Sequence, residues 1–194
     1  MAKVTAKAAI LDTALELFNR EGSRAVTTNH IAEACGISTG TLYYHFKNKE
    51  EIIRALYDCM GAEWDAPLAA VGELDRMAFE RLKEISDAVY KRYRFIGNEL
   101  YALCQNDPLL DTINRERLKL RKAQIRGLIA SLIAAEGYEE LDEPSMAFLA
   151  DTIWMFAVFW LPYRKMAHAG DEDSPMKSLD ILLEKFLVKR DHDA

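Results

Sequence analysis

Residues 27–46 read TTNHIAEACGISTGTLYYHF, two short helical patterns on either side of a glycine. Thr27 or Thr28 can cap the first, which carries Ile31 and Ala34, and Ser38 can cap the second, which runs through Phe46. Gly36 supplies a tight turn between them, and Ala32 is small where two helices must approach closely. Ile31, Ile37, Leu42 and Phe46 then share one inward face. This is helix-turn-helix organisation. It leaves Thr39, Gly40, Thr41, Tyr43, Tyr44 and His45 facing outward on the second helix. Hydroxyls and an imidazole can donate to phosphate oxygens, a tyrosine ring can touch a thymine methyl, and glycine admits a close surface. Taken singly, each ring reads as an ordinary half-buried aromatic. As an ordered set behind this turn they read as a nucleic-acid surface.

The flanks extend the pattern. Residues 5–21 place Ile10, Ala14, Leu17 and Phe18 at helical spacing, with Gly22 able to end that helix. Asn48 and Glu51 have capping-box spacing for a fourth helix, expected from Lys49 to about Asp65 and closed by Pro67 and Gly72. Lys49 in its first turn is a phosphate candidate, because free N–H groups there attract anions. Lys3 and Lys7 are candidates for an arm reaching DNA.

These residues carry a resemblance. Residues 10–56, including ALELFNREGSRAVTTNHIAEACGISTGTLYYHFKNKEEII, closely resemble the DNA-binding domain of the TetR family of bacterial transcriptional regulators. The match covers about a quarter of the chain. It implies a homodimer on a palindromic double-stranded operator, a helical C-terminal domain for dimerisation and a small-molecule effector, and repression relieved by that effector. By position it implies DNA contacts at Thr28, Thr39, Thr41, Tyr43, Tyr44, His45 and Lys49, with Gly40 allowing close approach. Thr39 stands where relatives often carry a longer polar or basic residue. Farther on, RFIGNELYALCQNDPLLDTINRERLKLR (94–121) looks similar to one recurrent type of C-terminal domain in that family.

Bulk properties agree. The chain has 194 residues, half of them hydrophobic and 29% charged, which is globular and not disordered. Net charge is −6, yet residues 1–50 carry +1 and the remainder −7, so a DNA surface belongs to the first part. The N-terminus lacks the continuous apolar core of a signal peptide. The longest apolar run, Ile153 to Leu161, is short of the roughly 20 residues that span a bilayer. Cys35, Cys59 and Cys104 are far apart and odd in number, so neither a disulfide framework nor a zinc site is expected. A cytoplasmic location without membrane contact fits. The four histidines have no partners at metal or triad spacing, and GxSxG, phosphate-loop and HExxH motifs are absent. Neither an enzyme nor a cofactor is expected.

Beyond the first domain the chain reads as long helices, giving an all-α fold of about nine. Asp107-Pro108 opens one that Gly137 stops, Pro144 opens another to about His168, and Ser174-Pro175 starts the last. Two domains are expected, 1–50 for DNA and 51–194 for effector binding and dimerisation. The helix AFLADTIWMFAVFWLPYRKM (147–166) is apolar nearly all round and needs burial on two sides. With the Leu/Phe stripe of the last helix, including Phe186, it suggests a four-helix dimer interface. Tyr90, Tyr93, Tyr101, Cys104, Trp154 and Tyr163 combine apolar bodies with polar tips, and Asp151 is a lone acid in the most apolar helix. These seven are candidates for an effector pocket taking an apolar or aromatic molecule, though each alone reads equally as core. RERLKLRK (115–122) reads as a solvated helix face paired with nearby acids, and DEDS (171–174) as a loop with a helix cap. Two rival readings remain: a DNA-binding architectural or cell-division protein of this fold without an effector, and an all-α enzyme or carrier with a vestigial helix-turn-helix.

Overall fold

The computed structural model describes residues 5–70, 76–168 and 175–190. Lys3, Gly72, Leu74, the 171–174 loop and the Ser174 cap lie outside them. Nine helices occupy the described residues: α1 (Ala6–Glu21), α2 (Thr28–Ala34), α3 (Thr39–His45), α4 (Lys49–Ala70), α5 (Arg76–Arg92), α6 (Arg94–Asn106), α7 (Pro108–Glu136), α8 (Glu143–Met166) and α9 (Pro175–Phe186). One isolated antiparallel bridge, Tyr138 with Lys189, ties the chain's end to the α7–α8 turn.

The helix ends follow local chemistry. Thr27 Oγ1 accepts from His30 N–H while His30 Nδ1 accepts from Thr27 N–H, a reciprocal cap the sequence reading did not include. Ser38 caps α3 by accepting from Thr41 N–H at 3.0 Å. Gly36 takes φ of 66°, a left-handed conformation that side chains disfavour, and Ile37 N–H then reaches Ala32 O at 3.0 Å. Asp107 caps α7 through Leu109 and Leu110 N–H, with Pro108 in the first turn. At α4, Asn48 accepts from Glu51 N–H as expected, but the Glu51 carboxylate reaches Lys47 N–H, one residue earlier than a capping box requires.

Helix α4 is longer than expected. Pro67 was expected to close it, yet lies inside it. Proline costs an interior helix one hydrogen bond and crowds the preceding turn; so close to the helix end, that loss does not stop three further residues from continuing.

Two apolar clusters form the core. One joins α1–α3 to Ile52, Ile53, Leu56 and Tyr57 of α4 and continues into Val89, Tyr93, Phe95, Ile96 and Leu110. The other holds Phe79, Leu82, Ile129, Leu132, Ile133, Leu149, Leu179, Leu183 and Leu187. The expected domain boundary at residue 50 coincides with the first turn of α4, and apolar packing runs straight through it.

Polar contacts fasten α7 to α4. Arg117 donates to Tyr57 O at 2.6 Å and to Asp58 at 2.9 Å. Arg121, only 6% exposed, donates to Asp65 at 2.7 Å and to Gly61 O at 3.0 Å. The lack of a side chain at Gly61 makes room for this, since a Cβ there would sit 2.7 Å from the Arg117 guanidinium carbon. Tyr57 hydroxyl donates to Asn114, and Arg54 pairs with Asp107 at 2.5 Å. Reading 115–122 as a solvated face is therefore corrected. Arg115 and Lys119 do form surface pairs with Asp111 and Glu116, but Arg117 and Arg121 point inward because α4 offers carbonyls and carboxylates there.

Arg121→Ala removes a buried guanidinium that bridges Gly61 O, half-exposed Asp65 and Gln124 Oε1, leaving Asp65 only its bond from Gln124, and is expected to cost about 2–3 kcal/mol of stability. Arg115→Ala, which removes only a surface pair, is expected to cost under about 0.5 kcal/mol. Urea denaturation of both variants checks the contrast; equal midpoints contradict the inward role of Arg121.

Alkali tests the same packing. Burial holds the Tyr57 phenol up at about 12, and burial also raises Tyr90 and Tyr93, the latter with help from its bond to Glu63. A phenol ionises near 10 when unfolded, so above pH 10 the unfolded state loses protons that the folded state keeps, and stability falls with rising pH. Tyr57 alone contributes a loss on the order of 1 kcal/mol per pH unit between pH 10 and about 12. Ultraviolet titration of the folded protein is expected to show three of its eight tyrosines lagging behind the rest. All eight ionising together near pH 10, with helical content intact, contradicts it.

Candidate nucleic-acid interface and central cavity

Leu42 and Phe46 anchor α3 with 0% and 1% exposure, so the rest of this short helix must face outward. Thr39, Gly40 and Thr41 are exposed in its first turn. Tyr43 is half exposed and its hydroxyl lies 3.1 Å from Thr28 Oγ1 at the start of α2, which joins the two helices across the turn. Tyr44 is 86% exposed, the ring farthest out of the fold, with His45 edge-on beside it. Thr41 Oγ1 sits 2.9 Å from Ser38 Oγ. A Cβ at Gly40 would meet nothing closer than 3.7 Å, so nothing inside the fold demands glycine there and the open space faces outward. Seven of the eight candidates thus gather on one surface.

Lys49 does not join them, and its assignment is corrected. Its ammonium donates to Ser23 O at 2.7 Å and Val26 O at 3.0 Å, satisfying carbonyls of the α1–α2 turn. Lys47, two residues earlier, is exposed, and no acid pairs with its ammonium among the described residues. Lys7 is also exposed, its ammonium 5.1 Å from the centre of the Phe46 ring.

Behind this surface, α6 grips α1. The Glu99 carboxylate accepts from Ser23 N–H at 3.2 Å and Ser23 Oγ at 2.5 Å. Asn19 donates to Arg92 O and accepts from Phe95 N–H, while Phe18 and Phe95 rings pack 5.1 Å apart. The α4 helix is the covalent route between the two halves, and α6 is a second, non-covalent one.

The C-terminal half encloses a cavity of about 150 Å³ between α4–α9. Of the expected pocket residues, Tyr90, Tyr93 and Trp154 line it. The other four do not, and are corrected. Tyr101 and Tyr163 are 73% and 58% exposed because they fall on outward faces of α6 and α8. Cys104 packs against the first core cluster, where burial raises its thiol pKa. Asp151 pairs with Lys122 on the outside. The sequence reading missed Tyr57, Trp64, Arg117 and Arg121 on the wall. Tyr57 and Trp64 continue the apolar stripe of α4 one and three turns past Ile53, a signal that was available; the inward turn of two arginines in a basic run was not.

Among the described residues, no helix is long and apolar enough to cross a membrane, and no group of three His, Cys, Asp or Glu side chains gathers to hold a metal.

Residues 10–56 match the family model of bacterial regulatory proteins, tetR family, and residues 69–187 match that of a bacterial transcriptional repressor. The chain is 32% identical over 186 residues to the HTH-type transcriptional repressor KstR2 of Rhodococcus jostii (strain RHA1), covering 90% of this chain and 88% of that one. A TetR-family transcriptional regulator from Marinobacter aquaeolei VT8 superposes with a TM-score of 0.86 at 29% identity, over 95% of this chain and 92% of that one. SmeT, solved as a triclosan complex, shares the fold alone, with a TM-score of 0.67 at 17% identity over 94% and 91% of the two chains. An exposed ring-bearing helix behind a glycine turn, carried on a helical body that these models match over most of its length, makes this chain a member of the tetR family, the DNA-binding transcriptional regulators of bacteria.

Proposed function

We propose that the protein is a homodimeric cytoplasmic repressor that leaves a palindromic operator when a small, mainly apolar molecule enters its cavity. The observation that carries this reading is the double duty of α4. Ile52, Ile53 and Leu56 in its first turns are core of the DNA-reading half. Met60, Gly61 and Trp64, one to three turns on, are cavity wall. A molecule that displaces the wall displaces the helix under the reading surface. The long match to the KstR2 repressor supports the sign of regulation, and SmeT, a neighbour of the same fold solved as a triclosan complex, supports a small-molecule occupant.

The DNA grip uses Thr28, Thr39, Thr41, Tyr43, Tyr44 and His45, with Gly40 giving the backbone close approach and Lys47 supplying the cation. The partner subunit covers α8 and α9. Phe148, Met155, Phe159, Tyr163 and Met166 on α8, with Ile181 on α9 and Val188 just past its end, are each more than half exposed. Large apolar side chains repeated along two adjacent helices mark an interface, and a two-fold axis there yields a four-helix arrangement. Phe186, expected at that interface, is half buried and stacks on Phe148 at 6.0 Å within its own subunit. Its loss would blur folding with assembly, whereas Phe159 separates them.

Lys47→Ala is expected to weaken binding to the protein's own upstream DNA evenly across sequences and to lower the salt slope by about one. Lys49→Ala is expected instead to lower the melting temperature, because two turn carbonyls lose their donor. Fluorescence anisotropy at several salt concentrations, with a thermal melt of each variant, separates the roles; a normal melt and a reduced slope for Lys49→Ala reverses them.

Phe159→Glu is expected to give a folded monomer, since its site is open in one subunit but an apolar interface cannot take an unpaired charge. Analytical ultracentrifugation checks it. A dimer that survives the substitution places the interface elsewhere.

A further inference from the structure

The cavity wall states what charge its occupant can carry. Four aromatic rings on it each have a protein cation over one face: Arg117 over Tyr57, Arg121 over Trp64, Arg92 over Tyr93 and Lys83 over Phe79, at 4.5–5.7 Å from the ring centres. A cationic ligand seeks aromatic faces of this kind, and here four of the six wall rings are already engaged, with only Tyr90 and Trp154 free of a cation among the described residues, and like charges lie nearby. An anion fares no better. Arg117 is paired with Asp58, Arg121 with Asp65, Arg92 with Glu63, and Lys83 with Glu80 and Asp180. No cation around the cavity is left over for it among these, so a buried anion would have to break an existing pair.

The polar tips on the wall narrow the choice further. Tyr57 hydroxyl is used by Asn114, Tyr93 hydroxyl by Glu63, and Ser86 Oγ by Leu82 O. Tyr90 is different. It sits edge-on to Trp64 at 5.8 Å on the cavity wall, and no group among the described residues hydrogen-bonds to its hydroxyl. Buried hydroxyls ordinarily find a partner, because an unmet one costs the desolvation of the group. The indole N–H groups of Trp64 and Trp154 on the same wall are also without partners among the described residues. Donation is the one capacity that these three unpartnered tips share, since indole N–H only donates, so the group that complements all of them is an acceptor. An apolar cavity of this size is known to hold a single benzene ring.

We infer that the cavity takes a neutral hydrocarbon molecule bearing one carbonyl oxygen, a ketone or ester of about one ring's bulk, and that the Tyr90 hydroxyl donates to that oxygen. This rests on the reading of the cavity as the effector site and names the class of effector it accepts.

Four probes of similar size test it on the full-length dimer: acetophenone, ethylbenzene, benzoate and phenyltrimethylammonium, each titrated by calorimetry. Acetophenone is expected to bind about three- to tenfold more tightly than ethylbenzene, the worth of one hydrogen bond, and both charged probes more weakly than either. Tyr90→Phe keeps the ring and is expected to keep the fold, checked by its melting temperature. It should abolish the advantage of acetophenone and leave ethylbenzene unchanged. An advantage that survives Tyr90→Phe overturns the inference, as does either charged probe outbinding acetophenone, or neither neutral probe binding at all. Release of upstream DNA is measured in parallel with the same probes. Tyr90-dependent binding of acetophenone without DNA release upholds the ligand class and refutes the switch.

Discussion

Everything in this molecule depends on α4 belonging to two cores at once. Its first turns are nearly solvent-free among α1–α3, with Ile52 at 0% and Leu56 at 2% exposure. Its middle is held to α7 by two arginines that reach its backbone carbonyls at Tyr57 and Gly61. Carbonyls of a regular helix are usually consumed internally, so an extra donor from outside fixes the helix along its own axis as well as sideways. A close-packed interior transmits small displacements instead of absorbing them. The cavity lies directly against this fixed segment, so in the proposed switch the position of α4 is the quantity that a bound molecule alters.

The second tie, through α6, has a different character. Glu99 and Asn19 satisfy backbone groups at the end of α1 and the start of α6. Leu100 and Gly97, on the same helix, face the cavity. One helix therefore touches the cavity on one side and the end of α1 on the other. Together α4 and α6 define two levers with a common load. Their effects on the reading surface need not cancel, because α4 carries the base of the helix-turn-helix while α6 holds its far corner.

Much of this was legible in the sequence, for identifiable reasons. The helix-turn-helix declared itself because its determinants are local: a cap at Ser38, a left-handed glycine at position 36, and inward residues at fixed spacing. The caps at Asp107 and Gly137 were legible for the same reason. The length of α4 was not, since proline near a helix end is decided by a balance of terms and not by a rule. Lys49, Arg117 and Arg121 were misplaced on common ground: a long cation in a polar run turns inward only when distant backbone offers it carbonyls, and nothing in the nearby sequence records that. Four of the seven expected pocket residues failed likewise. Tyr90 lies on the buried side of the strongly two-faced α5 and Tyr93 follows directly at its junction with α6, but Tyr101 and Tyr163 carry the same chemistry on faces that helical spacing alone assigns to either side.

The central claim is that filling the cavity moves the reading heads of the two subunits relative to each other. A recognition pair must meet major grooves about 34 Å apart, or a multiple of one turn, so a change of a few ångströms suffices to lose the register. The direct measurement is a spin-label distance between the two subunits, with the label at Ala25→Cys in the exposed α1–α2 turn and the half-buried Cys35, Cys59 and Cys104 replaced by alanine. The account predicts one distance on operator DNA and a distance displaced by several ångströms, on the scale of the groove mismatch, when acetophenone saturates the free dimer. Identical distance distributions in the two states, with acetophenone demonstrably bound, would contradict it.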